Sequence, residues 1–102
     1  MSSLTSHATH WHPRSARRAA AERAGLSRLE WRQLEQLVDA GGAWLPVSAT
    51  VPSGSPLTSQ EASAGLRRLL DCGLAELAPS PEDRERWRAS DRGHALVMQI
   101  RV

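Results

Sequence analysis

Gln60, Arg67 and Arg68 fall on one side of a helix-forming stretch, and each can hydrogen-bond to a nucleic acid. A glutamine amide pairs with adenine, and an arginine fork reads guanine or holds a phosphate. Ser59 opens the run, and small Ser63 and Ala64 permit a close approach. At about 100° per residue, Ala62, Leu66, Leu69, Leu70 and Gly73 turn inward. Gln60, Ala64, Arg67, Arg68 and Asp71 then turn outward. The same outward set suits an ordinary solvated face, and Glu61 and Asp71, which repel phosphate, favour that reading.

A second basic group lies near the N-terminus. Arg14, Arg17, Arg18 and Arg23 suit phosphates or a minor groove, as basic arms do, and equally suit a solubilising tail. His7, His10, Trp11 and His12 have metal-binding types, but nothing around them supplies a fixed second shell, so no metal is expected. Cys72 falls at a helix C-terminus, where the dipole disfavours a thiolate, and suits a packing role better than a redox one. No phosphate-cradling glycine loop, zinc-hydrolase motif or nucleophile with a placed base is present. Neither an enzyme nor a cofactor is expected.

The elements that must position these residues can be read from caps and periodicity. Residues 1–24 form a flexible basic arm, helical from Ser15 to Ala24, with Pro13 suited to a first helical turn. It has almost no large apolar residues, so it is either solvated or ordered by a partner. Ser27 and Glu30 make a capping box for a helix to Ala40, with Leu26, Leu29, Leu34, Leu37 and Val38 on its apolar stripe. Ala43 to Val47 reads as an extended segment that Pro46 confines to an edge. Pro52, Gly54 and Pro56 allow no more than a single turn at Ser48 to Val51. Thr58 or Ser59 caps the helix that runs to Cys72, and Gly73 can end it in a left-handed conformation. Leu74 to Ala78 and Trp87 to Ala89 are strands around a polar turn, and Ser90 caps a last helix. Ala95, Leu96, Met98 and Ile100 supply that helix's apolar contacts. Trp31, Trp44 and Trp87 are expected as packing anchors, since phenylalanine and tyrosine are absent.

Composition bounds the chemistry. The 102 residues suffice for one small domain, and 40% hydrophobic with 24% charged residues suits a globular protein. No apolar run reaches the roughly 20 residues that span a bilayer, and no secretory leader is seen, so the cytoplasm is expected. All 13 basic residues are arginine, with no lysine or asparagine, which reflects a GC-rich genome of bacterial or phage type. Residues 1–24 hold four arginines against one glutamate, a charge of +3. Residues 25–102 hold nine arginines against ten acids, a charge of −1. That balance argues against strong phosphate binding by the domain alone.

Residues 25–102 resemble a MarR-like winged helix-turn-helix domain. Leu66 to Leu77 is similar to a recognition helix with the first wing strand. Trp87-Arg88-Ala89-Ser90-Asp91-Arg92-Gly93-His94-Ala95-Leu96 is similar to the aromatic-x-x-Thr-x-x-Gly-x-x-Leu pattern that closes the wing. Serine stands for threonine and Ala89 for a larger apolar residue, and the helix before the recognition helix falls on a proline-rich stretch. The resemblance implies an α+β, mostly helical fold with a two-stranded wing. It implies a transcriptional regulator that binds duplex DNA as a homodimer. Its contacts would come from Ser59, Gln60, Ser63, Ala64, Arg67 and Arg68 on the helix and Arg84, Arg86 and Arg88 in the wing. Arg14, Arg17 and Arg18 would add the arm. The alternative is a winged-helix adaptor that docks a protein partner and binds DNA weakly.

Overall fold

The computed structural model describes residues 13–52, 54–79 and 85–101. Two of its helices begin at capping boxes. In α1 (Pro13–Ala24) the first residue is Pro13, whose missing N–H would have no partner in the helix. In α2 (Arg28–Asp39) the Ser27 hydroxyl accepts from the Glu30 N–H at 3.1 Å, and the Glu30 carboxylate accepts from the Ser27 N–H at 2.9 Å. In α3 (Ser59–Asp71) Thr58 and Glu61 repeat the arrangement, with both bonds at 3.1 Å. Gly73, at φ +76°, then ends α3.

The Thr58 N–H holds the Glu61 carboxyl below its usual range, and the Thr58 hydroxyl helps. The stabilisation from this depressed pKa is full above the ordinary glutamate value and is lost as pH falls through the folded value. An NMR titration of the Glu61 carboxyl carbon is therefore expected to give a lower midpoint in the folded chain than in urea. Equal midpoints would show that the box does not form.

The expected two-stranded wing is β2 (Ala75–Leu77) with β3 (Arg86–Ala89), and the extended segment at Leu45–Pro46, β1, adds a third strand to the sheet. The strand order is β1, β3, β2, with both pairings antiparallel. Pro46 takes the edge, as a residue without an N–H must. Trp87 lies between Leu45 and Leu77, and Ala89 faces Ala75. These residues form the inner face, and the helices cover it. Between β1 and α3 the chain makes a 3-10 turn, Val47–Thr50, where a full helix would precede a recognition helix. The bend at Val51, with Pro52 after it, stops it from extending.

The core joins Trp31, Leu34, Leu37 and Val38 of α2 to Leu66 and Leu69 of α3, Trp87 of β3 and Val97 of α4 (Asp91–Arg101). Several inward assignments differ from the helical-period expectation. Leu29 is exposed and Trp31 buried. Gly65 is buried and Gly73 exposed. In α4, Val97 is buried, Leu96 and Ile100 are half-buried, and Ala95 and Met98 are exposed.

The helical part of the arm does bury a face. Ala16, Ala20 and Ala21 are buried where α1 packs on α2 and α4. Alanine lets helices approach closely, so a stripe without large side chains still closes on the domain. Arg101 ties α4 to α2, with Nη1 donating to Asp39 at 2.6 Å.

Gln33 is buried in the middle of the domain. Its Nε2 donates to the Ala62 carbonyl at 2.9 Å and approaches the Thr50 hydroxyl at 3.4 Å. One amide thus fixes α2, the 3-10 turn and α3 relative to each other. Gly65 makes room for it, since a Cβ there would overlap Gln33 Oε1.

Candidate nucleic-acid interface

The outward face of α3 is as the helical period requires. Ser59, Gln60, Ala64, Arg67, Arg68 and Asp71 are exposed, and Ser63 is half-buried. β2 follows directly from this helix and packs against it, so helix and ribbon adjoin.

The two arginines of α3 are held in opposite directions. Arg67 Nη2 donates to Glu85 Oε2 at 2.9 Å, toward the base of the wing. Glu85 Oε1 also accepts from the Ser63 hydroxyl at 3.1 Å and from Trp87 Nε1 at 3.2 Å. Arg68 turns toward the α1–α2 junction. Its Nη2 donates to the Gly25 carbonyl at 2.6 Å, and its Nε lies 3.7 Å from Glu30 Oε2.

The remaining arginines divide similarly. Arg88 lies on the outer face of the sheet, where Nε donates to Glu76 at 2.7 Å and the guanidinium stacks 4.3 Å above the Trp44 ring. Trp44 is therefore an exposed platform, not a core anchor. Arg86 is half-buried on the same strand. Arg17 pairs with Glu35 at 2.9 Å, and Arg18 with Glu22 at 3.5 Å. Both stand on α1, apart from the Ser63–Glu85 contact that joins α3 to the wing. Arg84, the wing tip and the cluster of His7, His10, Trp11 and His12 lie outside the described residues, as does the side chain of Arg14. Among the described residues no group of histidines, cysteines and acids could hold a metal ion, and no helix is long and apolar enough to cross a membrane.

Charge counting alone misses Glu85, which it treats as one more acid diluting the wing. Strand alternation contains the signal: Glu85, Trp87 and Ala89 share a face, and that face looks toward the helices. Gln33 gives no comparable signal, because one polar residue on an amphipathic helix reads as surface.

A helix with a polar outer face, followed by an antiparallel ribbon and a closing helix, defines a winged-helix domain. The solved structures bear this out. The fold matches MepR, described as a transcription regulator of the Staphylococcus aureus multidrug efflux pump MepA, with a TM-score of 0.69 at 17% identity. That match covers 98% of this chain and 73% of MepR. A mutant MepR from a multidrug-resistant S. aureus clinical isolate matches with a TM-score of 0.71 at 19% identity, over 98% of this chain and 72% of that one. NadR, in complex with 4-hydroxyphenylacetate, matches with a TM-score of 0.65 at 17% identity over 86% of this chain. The match spans 62% of NadR's length. MepR and NadR are winged-helix regulators of the MarR family, so the MarR-like fold expected from the sequence is the one present. No protein-family model matches the sequence, and no curated protein matches it.

Proposed function

We propose that the chain is a DNA-binding transcriptional regulator of bacterial or phage origin that works in the cytoplasm. It binds duplex DNA as a homodimer through α3, the wing and the basic arm. The observation that carries this reading is the solvent-facing row Gln60, Ala64 and Arg67 on a helix flanked by a β-ribbon. Such a helix fits a major groove, with its polar side chains at base edges. Ser59, Ser63 and Arg68 would flank the row, Arg84, Arg86 and Arg88 would contribute from the ribbon, and Arg14, Arg17 and Arg18 from α1. Pairing of two copies compensates for the weak charge of the domain by doubling the contacts. Helices α1 and α4 pack side by side and leave Met98 exposed, which suits them to the dimer surface.

Electrophoretic shift at low salt with random-sequence duplex tests the reading, and no shift at micromolar protein would end it. Replacing Arg67 and Arg68 together by alanine is expected to weaken duplex binding about 30-fold or more, at about 1–3 kcal/mol per base contact. Both side chains are more than half exposed, so melting temperature should change little.

One observation favours a second reading. Of the arginines proposed to contact DNA, Arg17, Arg18, Arg67, Arg68 and Arg88 each lie within 4.0 Å of a carboxylate of the same chain, which offsets much of their positive charge. A winged-helix adaptor docking a protein would look like this. Such an adaptor would show no salt-dependent duplex binding, and the double substitution would leave any weak DNA binding unchanged.

A further inference from the structure

Glu85 is engaged through both of its oxygens, and two of its three donors, both on Oε1, are set by the fold. Trp87 is fully buried, so its Nε1 cannot move away, and Ser63 is set by α3. Together they hold Oε1 and leave Oε2 facing Arg67 Nη2. The Glu85 side chain is only 30% exposed, while that of Arg67 is 55% exposed. A half-buried carboxylate, anchored at one oxygen by two donors, therefore grips one edge of a guanidinium whose remainder stands in solvent.

We propose that Glu85 is a positioning residue, which aims Arg67 so that it reads a guanine in duplex DNA and does not merely hold a phosphate. The inference rests on the DNA-binding reading of the α3 face. An unrestrained surface arginine samples many rotamers and follows the strongest negative potential, which on DNA is the phosphate backbone. Glu85 opposes that in two ways. It fixes the plane of the guanidinium in advance, so less freedom is lost when both donors engage the guanine O6 and N7. It also places a negative charge beside the cation, which penalises approach of a phosphate but not of a neutral base edge. Ala64, one turn before Arg67 on the exposed face, adds no bulk between the helix and the groove floor. Arg68 is held away from the wing, with Glu30 Oε2 3.7 Å from its Nε. Its main partner is a backbone carbonyl on the far side of the helix, which leaves it the structural or phosphate-binding role.

The test begins by enriching duplexes from a random-sequence pool with the full chain at low salt. The selected duplex, a series with each G·C pair exchanged, and a scrambled duplex are then titrated with the natural protein, Glu85→Gln, Arg67→Ala and the double variant. Glutamine keeps an acceptor for Ser63 and Trp87 but removes the charge. Glu85→Gln is expected to weaken binding to the selected duplex about tenfold while binding the scrambled duplex as tightly or more tightly. The lost discrimination should fall on one G·C pair, the same pair that Arg67→Ala releases, and the double variant should be no worse than Arg67→Ala. Arg67→Lys, which leaves Glu85 intact, should lose the same base preference while keeping its affinity for the scrambled duplex. It serves as the second probe if Glu85→Gln melts early. Equal tightening on selected and scrambled duplexes would overturn the proposal, since Glu85 would then only compete with DNA. So would losses at different base pairs, or an Arg67→Lys protein that keeps the preference. If no duplex enriches at all, the DNA-binding reading falls first and this inference with it.

Discussion

Gly93→Ala is expected to destabilise the domain by about 3 kcal/mol, near the upper end for overpacking. A Cβ at this position would sit well inside van der Waals contact distance of the Leu74 carbonyl oxygen. It would also lie 3.1 Å from Leu34 Cδ1 and 3.2 Å from the Leu74 carbonyl carbon. Neither neighbour can yield. The Leu74 carbonyl accepts from the Ser90 N–H at 3.0 Å, which pins the start of β2 to the end of β3. Leu34 is fully buried among core side chains. The first turn of α4 must then back away, taking with it the Ser90 hydroxyl that accepts from the Gly93 N–H at 3.1 Å and donates to the Gly73 carbonyl at 2.6 Å. Chemical denaturation should show the loss as a lower midpoint with an unchanged slope. Gly65→Ala makes a useful contrast. Its clash is with the amide end of Gln33, which can rotate at the cost of its bond to Ala62, so about 1–2 kcal/mol is expected. If the two substitutions cost the same, backbone rigidity at Leu74 is not what decides the effect.

The glycine of the wing-closing pattern thus has a packing reason that the pattern alone does not reveal. What the sequence does reveal is local. Ser27 with Glu30, Thr58 before α3, Gly73 after it and Ser90 before α4 each act within four residues, and each was legible because the cap and its partner are neighbours in the chain. The outward face of α3 was legible for the same reason, since periodicity fixes which side chains share a side. The pairs that shape the candidate interface are not local. Glu85 meets Ser63 and Arg67, Arg68 meets Gly25, and Arg88 stacks on Trp44, all across turns whose lengths set the register. Gln33 and the alanine stripe of α1 were missed because burial there depends on what packs opposite. A polar or small residue carries no sign of its own that it will be covered.

Trp87 joins the two levels, and Trp87→Ala is expected to have the largest effect of any single change, about 4 kcal/mol. The ring is fully buried, flanked on the sheet by Leu45 and Leu77 and packed into the helical core. Removing it empties the junction between all three strands and the helices, and a small domain has only about 5–15 kcal/mol of stability to lose. Trp87→Phe separates the ring's two roles. Phenylalanine keeps most of the apolar volume, so the cost should stay near 1–1.5 kcal/mol, but it removes the Nε1 donor that holds Glu85 at 3.2 Å. The carboxylate would then be tethered by Ser63 alone, and Arg67 would be aimed less tightly. A phenylalanine variant that melts close to the natural protein yet loses part of the base discrimination at the Arg67 position would show that a core side chain tunes recognition through one hydrogen bond. If it keeps full discrimination, Ser63 suffices to hold Glu85, and the indole nitrogen contributes to the fold alone.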